Sequence, residues 1–144
     1  MAPIADLYPR LKELEKDRRF ELAMSRFVGA YEKPYGGDRL IDYWIALESL
    51  LIPEKSTTEL SYRASLRGAC LLTETHNRAR VFSQLRESYE VRSKFVHGIP
   101  NKVDADIVVT TEEYLRKILL RCLHSGKTPT KELLDSLVLG QERP

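Results

Sequence analysis

The chain has 144 residues, of which 42% are hydrophobic and 31% are charged, and its formal net charge is only +2. This length is enough for one domain with a single core, and this composition excludes an intrinsically disordered chain. No apolar run approaches the ~20 residues that a membrane-spanning helix needs, and residues 1–9 lack the apolar centre of a signal peptide. We therefore expect a cytoplasmic protein that does not enter the membrane.

Hydrophobic residues recur at helical spacing along most of the chain, and breaks rich in proline, glycine and polar residues separate the helical segments. The predicted helices, in chain order, are Pro9 to Tyr31, Arg39 to Leu51 after the N-cap Asp38, Glu59 to Leu72, a fourth from the N-cap Thr75 or Asn77 to His97, a fifth from Thr110 or Thr111 to His124, and a sixth from the N-cap Thr130 to near Gly140. The β-branched stretch from Val103 to Val109 is predicted to be extended. Because no strand alternation is strong enough for a sheet, the sequence predicts an all-α bundle of five or six helices.

The sequence predicts neither a metal site nor a cofactor. Cys70 and Cys122 both fall inside helical patterns without metal-ligand spacing, so reduced thiols are expected rather than a disulfide. Carboxylates and histidines form no cluster with the spacing of a two-metal centre. Any catalysis by this chain is therefore expected to use acid–base and electrostatic effects alone.

A cation interrupts the apolar stripe of the fourth predicted helix. Arg92 lies in the middle of a stripe formed by Val81, Leu85, Ser88, Phe95 and Val96. A buried cation needs an anion and good hydrogen bonds, and Glu48 falls inside the apolar stripe of the second helix, whereas Asp42 points roughly the opposite way. We therefore predict that these two helices are adjacent and that Glu48 and Arg92 form an ion pair between them. The core is expected to contain Trp44, Leu47, Leu85 and Phe95. Such a pair can also be purely structural.

An imidazole follows in the last turn of the same helix, just before a glycine that is typical of a helix end. His97 is about 140° from Arg92 around an ideal helix, so the two side chains meet only if Arg92 reaches round or a second subunit completes the site. His76 and His124 are expected at the surface. Residues 59–102 contain eight Lys and Arg against four Asp and Glu, whereas the flanking segments are slightly acidic. This excess favours an anionic partner such as RNA, although a solvated basic face gives the same count.

Three segments together resemble the HEPN superfamily, and specifically its Apea-like branch. They are DRLIDYWIALESLL at 38–51, LSYRASLRGA at 60–69 and YEVRSKFVHG at 89–98, and they occur in the family's order. The resemblance covers about residues 38–125. It divides the chain into an N-terminal helix and linker (1–37), a HEPN-like helical core (38–125) and a short C-terminal helix and tail (126–144).

The resemblance implies a helical bundle that forms homodimers and often acts as a metal-independent endoribonuclease in phage defence, toxin–antitoxin or CRISPR-associated systems. Arg92 and His97 match the family's Arg-x4–6-His motif, Ser93 matches the polar position beside the arginine, and Glu48 matches an acidic residue on the earlier helix. The implied chemistry is cleavage of RNA to 2′,3′-cyclic phosphate and 5′-hydroxyl ends. His97 would move the proton, Arg92 would stabilise the phosphorane and Glu48 would position Arg92. The expected contacts to the RNA backbone come from Ser93, Lys94, Arg63 and Arg67.

Two other interpretations use the same core and charge. The chain is then either a catalytically silent module that dimerises or binds a partner such as a toxin, an antitoxin or a larger defence protein, or a domain that binds RNA or nucleotides without cleavage. In both, the pairing of Glu48 with Arg92 has no catalytic purpose.

Overall fold

The computed structural model describes residues 3–73 and 77–140. Its helices are α1 Ile4–Leu14, α2 Arg18–Ala30, α3 Gly36–Leu51, α4 Leu60–Leu72, α5 Arg78–Val96, α6 Ala105–Ser125 and α7 Lys131–Val138. Neither described range contains a β-strand, so the all-α prediction is confirmed, with one helix more than the upper expected number. None of these helices combines the length and apolarity that crossing a bilayer requires.

The additional helix arises because the first predicted segment is two helices. Pro9 lies inside α1 instead of at its start, and the chain breaks before Arg18. Asp17 begins α2, because its carboxylate accepts a hydrogen bond from the Arg19 backbone N–H at 2.9 Å. The periodicity concealed this break, since apolar residues continue at helical spacing on both sides of it.

The start of α6 was also predicted wrongly. The helix begins at Ala105, so most of the stretch predicted as extended is helical and neither Thr110 nor Thr111 caps it. Tertiary packing outweighs the weak strand preference of the β-branched residues, because Val108 is buried in the core. The cap at Thr130 is confirmed, since its hydroxyl accepts a hydrogen bond from Leu133 N at 3.1 Å. Asn77 precedes α5 without a side-chain cap, and the alternative Thr75 lies outside the described residues.

Helix α3 occupies the centre of the bundle and is buried on several sides. Trp44 and Leu47 are fully buried, as predicted. Asp42 lies away from that apolar stripe but is only 3% exposed, because α2 packs against this second face. Its buried carboxylate is neutralised by two partly exposed cations, Arg26 at 3.0 Å and Lys33 at 3.6 Å, so the acid that was expected to point away from the core forms ion pairs at its edge.

A buried hydrogen-bond chain fixes α5 and α6 against α3, so that the second and fourth predicted helices are adjacent as expected. Trp44 Nε1 donates to Ser88 Oγ at 3.0 Å, and Ser88 Oγ lies 2.6 Å from Thr111 Oγ1. Leu85 is also fully buried. Phe95 is only partly buried, yet its ring lies so close to Gly37 that a Cβ added there would be 2.3 Å from it. The N-terminus of α3 therefore holds the last turn of α5.

The N-terminal and C-terminal helices pack on the same core. Arg19 of α2 donates to the carbonyl oxygens of Ser49, Leu50 and Pro129 at 2.7–2.9 Å, and to Thr128 Oγ1 at 3.0 Å. One side chain thus joins α2, the end of α3 and the loop before α7. Cys70 and Cys122 are both buried and are not joined by a disulfide.

Candidate functional site

His97 is held at the end of α5 in a defined orientation. It follows the last helical residue, and its backbone N–H donates to Ser93 O at 3.1 Å. Its imidazole Nδ1 lies 2.7 Å from the same carbonyl oxygen. Because a carbonyl only accepts, Nδ1 must carry a proton, and the neutral ring is therefore the tautomer whose Nε2 has the free lone pair. His97 is exposed, so this ring can exchange protons with a bound ligand.

The glycine after His97 ends the helix as the sequence predicted. Gly98 has a φ of +66°, a left-handed conformation that glycine adopts without steric cost. Its backbone N–H and that of Ile99 donate to the carbonyl oxygens of Phe95 and Lys94. Asn101 Nδ2 then donates to Val91 O at 3.1 Å, which fixes the following loop against α5. The surroundings of His97 are consequently ordered by hydrogen bonds on both sides.

Arg92 does not lie in the centre of a buried stripe. The fully buried positions of α5 end at Ser88, Arg92 is half-buried, and Val96 is 48% exposed. The guanidinium carbon lies 5.3 Å from the centroid of the Tyr89 ring, one helical turn earlier. Arg92 Nε is shielded from solvent and has no hydrogen-bond partner among the described residues. The predicted stripe fails there because the last two turns of α5 are only partly buried, although Tyr89 and Val91 still pack against the core.

The predicted ion pair between Glu48 and Arg92 is not formed. No ion pair or hydrogen bond joins them in the described part of the chain, and the arginine packs on Tyr89. They still interact through space: burial raises the pKa of Glu48, and the charge of Arg92 partly opposes that rise. Glu48 therefore lies near enough to influence Arg92 but does not hold it.

The two other predicted residues on α5 lie beside this pair. Ser93 is half-buried and supplies the carbonyl that orients His97. The Lys94 side chain is 46% exposed and forms a surface ion pair with Glu90 at 3.3 Å. Such exposed pairs are weak, so Lys94 remains available to an anion of higher charge.

The two predicted arginines of α4 belong to a different cluster. Arg67 is 4% exposed and donates to Leu51 O at 2.9 Å, to Glu54 at 2.8 Å and to Asp135 at 3.1 Å. Arg63 binds the same Glu54 carboxylate and Ser56 Oγ. Arg67 is therefore a structural residue, because it is buried and bound to these partners, and we no longer expect it to contact RNA.

The third predicted helix begins one residue later than expected. Glu59 has a φ of +51° and precedes α4, so it lies outside the helix.

The sequence interpretation missed Tyr89, whose ring packs against the Arg92 guanidinium. Its ring also packs edge-on against Trp44, with centroids 5.0 Å apart, so the core fixes the surface on which Arg92 lies. The three-residue spacing from Tyr89 to Arg92 was a usable signal, because residues at that spacing are neighbours on a helix.

A cavity lies elsewhere in the molecule, and none of the predicted site residues lines it. It has a volume of about 770 Å³ and is formed by α4, α6, α7 and the loop before α7. The Cys122 thiol in its wall has a pKa raised to about 12 by burial, so it is an unreactive apolar surface at neutral pH. Within residues 3–73 and 77–140, no three His, Cys, Asp or Glu side chains are grouped as metal ligands.

Among protein-family models, curated proteins and solved structures, none matches this chain, so its assignment depends on the geometry of His97 and Arg92.

Proposed function

We propose that this chain is a metal-independent endoribonuclease of a prokaryotic defence or toxin–antitoxin system, with His97 as its acid–base group. The observation that carries the proposal is the bond from His97 Nδ1 to the Ser93 carbonyl. It fixes the tautomer and directs a basic Nε2 away from that carbonyl. A general base needs a free lone pair on the atom that takes the proton.

The reaction needs no group beyond the RNA and the protein. Nε2 of His97 removes the proton from the ribose 2′-hydroxyl, and the 2′-oxygen attacks the adjacent phosphorus while the bond to the 5′-oxygen breaks. The leaving 5′-oxygen takes up a proton from an imidazolium. The products are a 2′,3′-cyclic phosphate and a 5′-hydroxyl. DNA lacks the nucleophile and is not cut.

Arg92 is the proposed stabiliser of the phosphorane. Its guanidinium packs on Tyr89 without an ion-pair partner in the described chain, so N–H donors are available for the non-bridging oxygens. Arg92 and His97 diverge by about 140° around α5. A homodimer that brings together the ends of two α5 helices supplies the arginine and histidine from different copies. Ser93 and Lys94 border this cleft, and the charge of Glu48 moderates the field at Arg92.

The test is incubation of the purified chain with a mixed-sequence RNA, and with the same sequence as DNA, in excess EDTA. We expect RNA cleavage with 2′,3′-cyclic phosphate ends and intact DNA. His97→Ala lowers the cleavage rate by about two or more orders of magnitude. The free energy of unfolding changes by no more than about 1 kcal/mol, because the side chain is exposed.

His124→Ala is the matched control, since His124 also lies near the end of a long helix. It should cut RNA as wild type does. The nuclease proposal fails if the wild-type chain leaves RNA intact, or if His97→Ala cuts as fast as His124→Ala.

One observation favours the silent interaction module as the second candidate. Val96 and Ile99, on either side of His97, are 48% and 52% exposed. Exposed aliphatic side chains beside an ordered helix end are typical of a protein contact. In that case Val96→Asp abolishes assembly with a second copy or a partner, whereas His97→Ala has no effect on assembly or on RNA.

A further inference from the structure

An aromatic and cationic cluster lies at the surface of α4 and α5, with Phe82 packed against the core and Tyr62 and Arg86 exposed. Tyr62 is 48% exposed, and its ring meets Phe82 edge-to-face with centroids 5.5 Å apart. The guanidinium carbon of Arg86 lies 5.9 Å from the centroid of the Tyr62 ring. Arg86 Nη1 donates to Ser61 Oγ at 2.6 Å, which fixes the plane of the guanidinium beside the tyrosine. A planar cation and an exposed ring are thus held together at the surface.

The cluster lies on the same side of α5 as His97. Arg86 precedes His97 by eleven residues, which corresponds to three helical turns, so the two positions differ by only about 20° around the axis and by about 16 Å along it. At ~3.4 Å per stacked nucleotide this distance spans about five nucleotides, and fewer when the strand is extended. One strand can therefore touch both places at once.

The segment that contains this cluster is basic. Residues 59–102, which contain α4 and α5, have eight Lys and Arg against four Asp and Glu. Single-stranded nucleic acids are bound by positive surfaces that track the backbone and by aromatic or arginine planes on which bases stack. Packing of the Tyr62 ring does not explain why Arg86 is held beside it, because Phe82 already covers part of that ring.

We propose that Tyr62, Phe82 and Arg86 form a base-stacking subsite for single-stranded RNA, within about five nucleotides of the phosphate at His97. The subsite rests on the proposed ribonuclease function and names the form of its substrate, a single strand with unpaired bases. It binds by stacking, so it selects unpaired strand over duplex and tolerates any base.

A binding experiment tests the subsite without cleavage. The probe is a 2′-O-methyl RNA octamer that carries 2-aminopurine, whose fluorescence falls when the base stacks. We expect quenching with wild type and with Tyr62→Phe, which keeps the ring. Tyr62→Ala should lose the quenching and bind the octamer about 5- to 150-fold more weakly, the range for the loss of one base–aromatic stack.

Tyr8→Ala is the matched control, because Tyr8 is 61% exposed and has Lys12 Nζ 5.4 Å from its ring centroid on the distant helix α1. It should bind as wild type does. Circular dichroism verifies that each variant is folded. If Tyr62→Ala and Tyr8→Ala bind the octamer alike, the subsite proposal is overturned and the cluster is surface packing or a contact for a protein.

Cleavage separates this proposal from the function on which it rests. For an RNA octamer, Tyr62→Ala should raise KM with little change in kcat, and for a dinucleotide, which is too short to reach the cluster, it should change neither. A wild-type chain that quenches the probe through Tyr62 but cuts no RNA refutes the nuclease and leaves the subsite in place. If wild type cuts RNA and Tyr62→Ala cuts the octamer equally well, the subsite alone is refuted.

Discussion

Arg67 on α4 and Arg92 on α5 are the same residue type on neighbouring helices of the core, yet their surroundings differ in every respect. Arg67 is 4% exposed and its guanidinium has two carboxylates and a carbonyl as partners. Arg92 is half-buried, packs on an aromatic ring, and has a shielded Nε with no partner in the described chain. The first arginine is paired with carboxylates within the fold, and the second is not.

This difference separates a structural cation from a candidate functional one. Both were predicted to contact RNA, because both lie in a basic segment and near an apolar helix face. Partners distinguish them, since a buried arginine that is bonded to two carboxylates within the protein cannot bind phosphate without breaking those contacts. An arginine that the fold orients through a ring contact keeps its donors for a ligand.

Removal of Arg67 should give the largest effect on stability. Arg67→Ala leaves Glu54 without its main buried partner and removes the ion pair between α4 and α7, because Asp135 lies on α7. We expect a loss of about 3 kcal/mol in the free energy of unfolding, measured by urea denaturation. RNA cleavage should fall only as far as the folded fraction falls. An Arg67→Ala chain as stable as wild type would contradict the structural assignment.

Removal of Arg92 should have the reverse pattern. An ion pair with Glu48 would have made Arg92→Ala cost about 3 kcal/mol, because a buried carboxylate would be stranded. Since the pair is not formed, we expect a change of no more than about 1 kcal/mol, while RNA cleavage falls at least about 100-fold. The matched control is Arg78→Ala at the other end of α5, which should cut RNA normally. If Arg92→Ala lowers the free energy of unfolding as much as Arg67→Ala does, Arg92 is a structural residue too.

Most of the fold could be predicted from the sequence, because apolar spacing is a local signal. Periodicity gave the helical class, and Gly98 and Thr130 marked two ends correctly. The errors occur where a distant contact overrides the local pattern. Val108 is helical because the core buries it. Asp42 is buried because α2 covers the face of α3 that was predicted to point away from the core.

The candidate site was predictable only within one helix. Arg92, Ser93, Lys94 and His97 lie on consecutive turns of α5, so their grouping follows from helix geometry. The partners of Arg67 come from a loop and from α7, far away in the chain. The sequence also does not show that α5 is only partly buried after Ser88, where Arg92 packs on Tyr89 and forms no ion pair with Glu48.

The smallest expected effect is that of replacing Glu48. The sign of the change in stability should distinguish Glu48, near Arg92, from Glu54, which is bound to Arg67. Burial raises the pKa of Glu48 above its ordinary 4.5, with Arg92 opposing. The folded state therefore holds the Glu48 proton more tightly than the unfolded state, and the stability from this group is lost as the pH rises from about 4.5 through the raised pKa. Glu48→Gln removes that loss, so at pH 7 it should be more stable than wild type by no more than about 1 kcal/mol. The difference should vanish below pH 4.5.

Glu54 provides the opposite case. Burial acts to raise its pKa, but its backbone hydrogen bond and the Arg67 and Arg63 charges outweigh burial, so its pKa is lowered. Its contribution is present above pH 4.5 and is lost as the pH falls through the lowered pKa. Glu54→Gln should therefore be less stable than wild type at pH 7, with a difference that shrinks in acid. Urea denaturation of both variants between pH 4 and 7 measures the two slopes. If Glu48→Gln also destabilises the chain at pH 7, then Glu48 has a partner of the kind that Arg67 gives Glu54, and the contrast between the two arginines is lost.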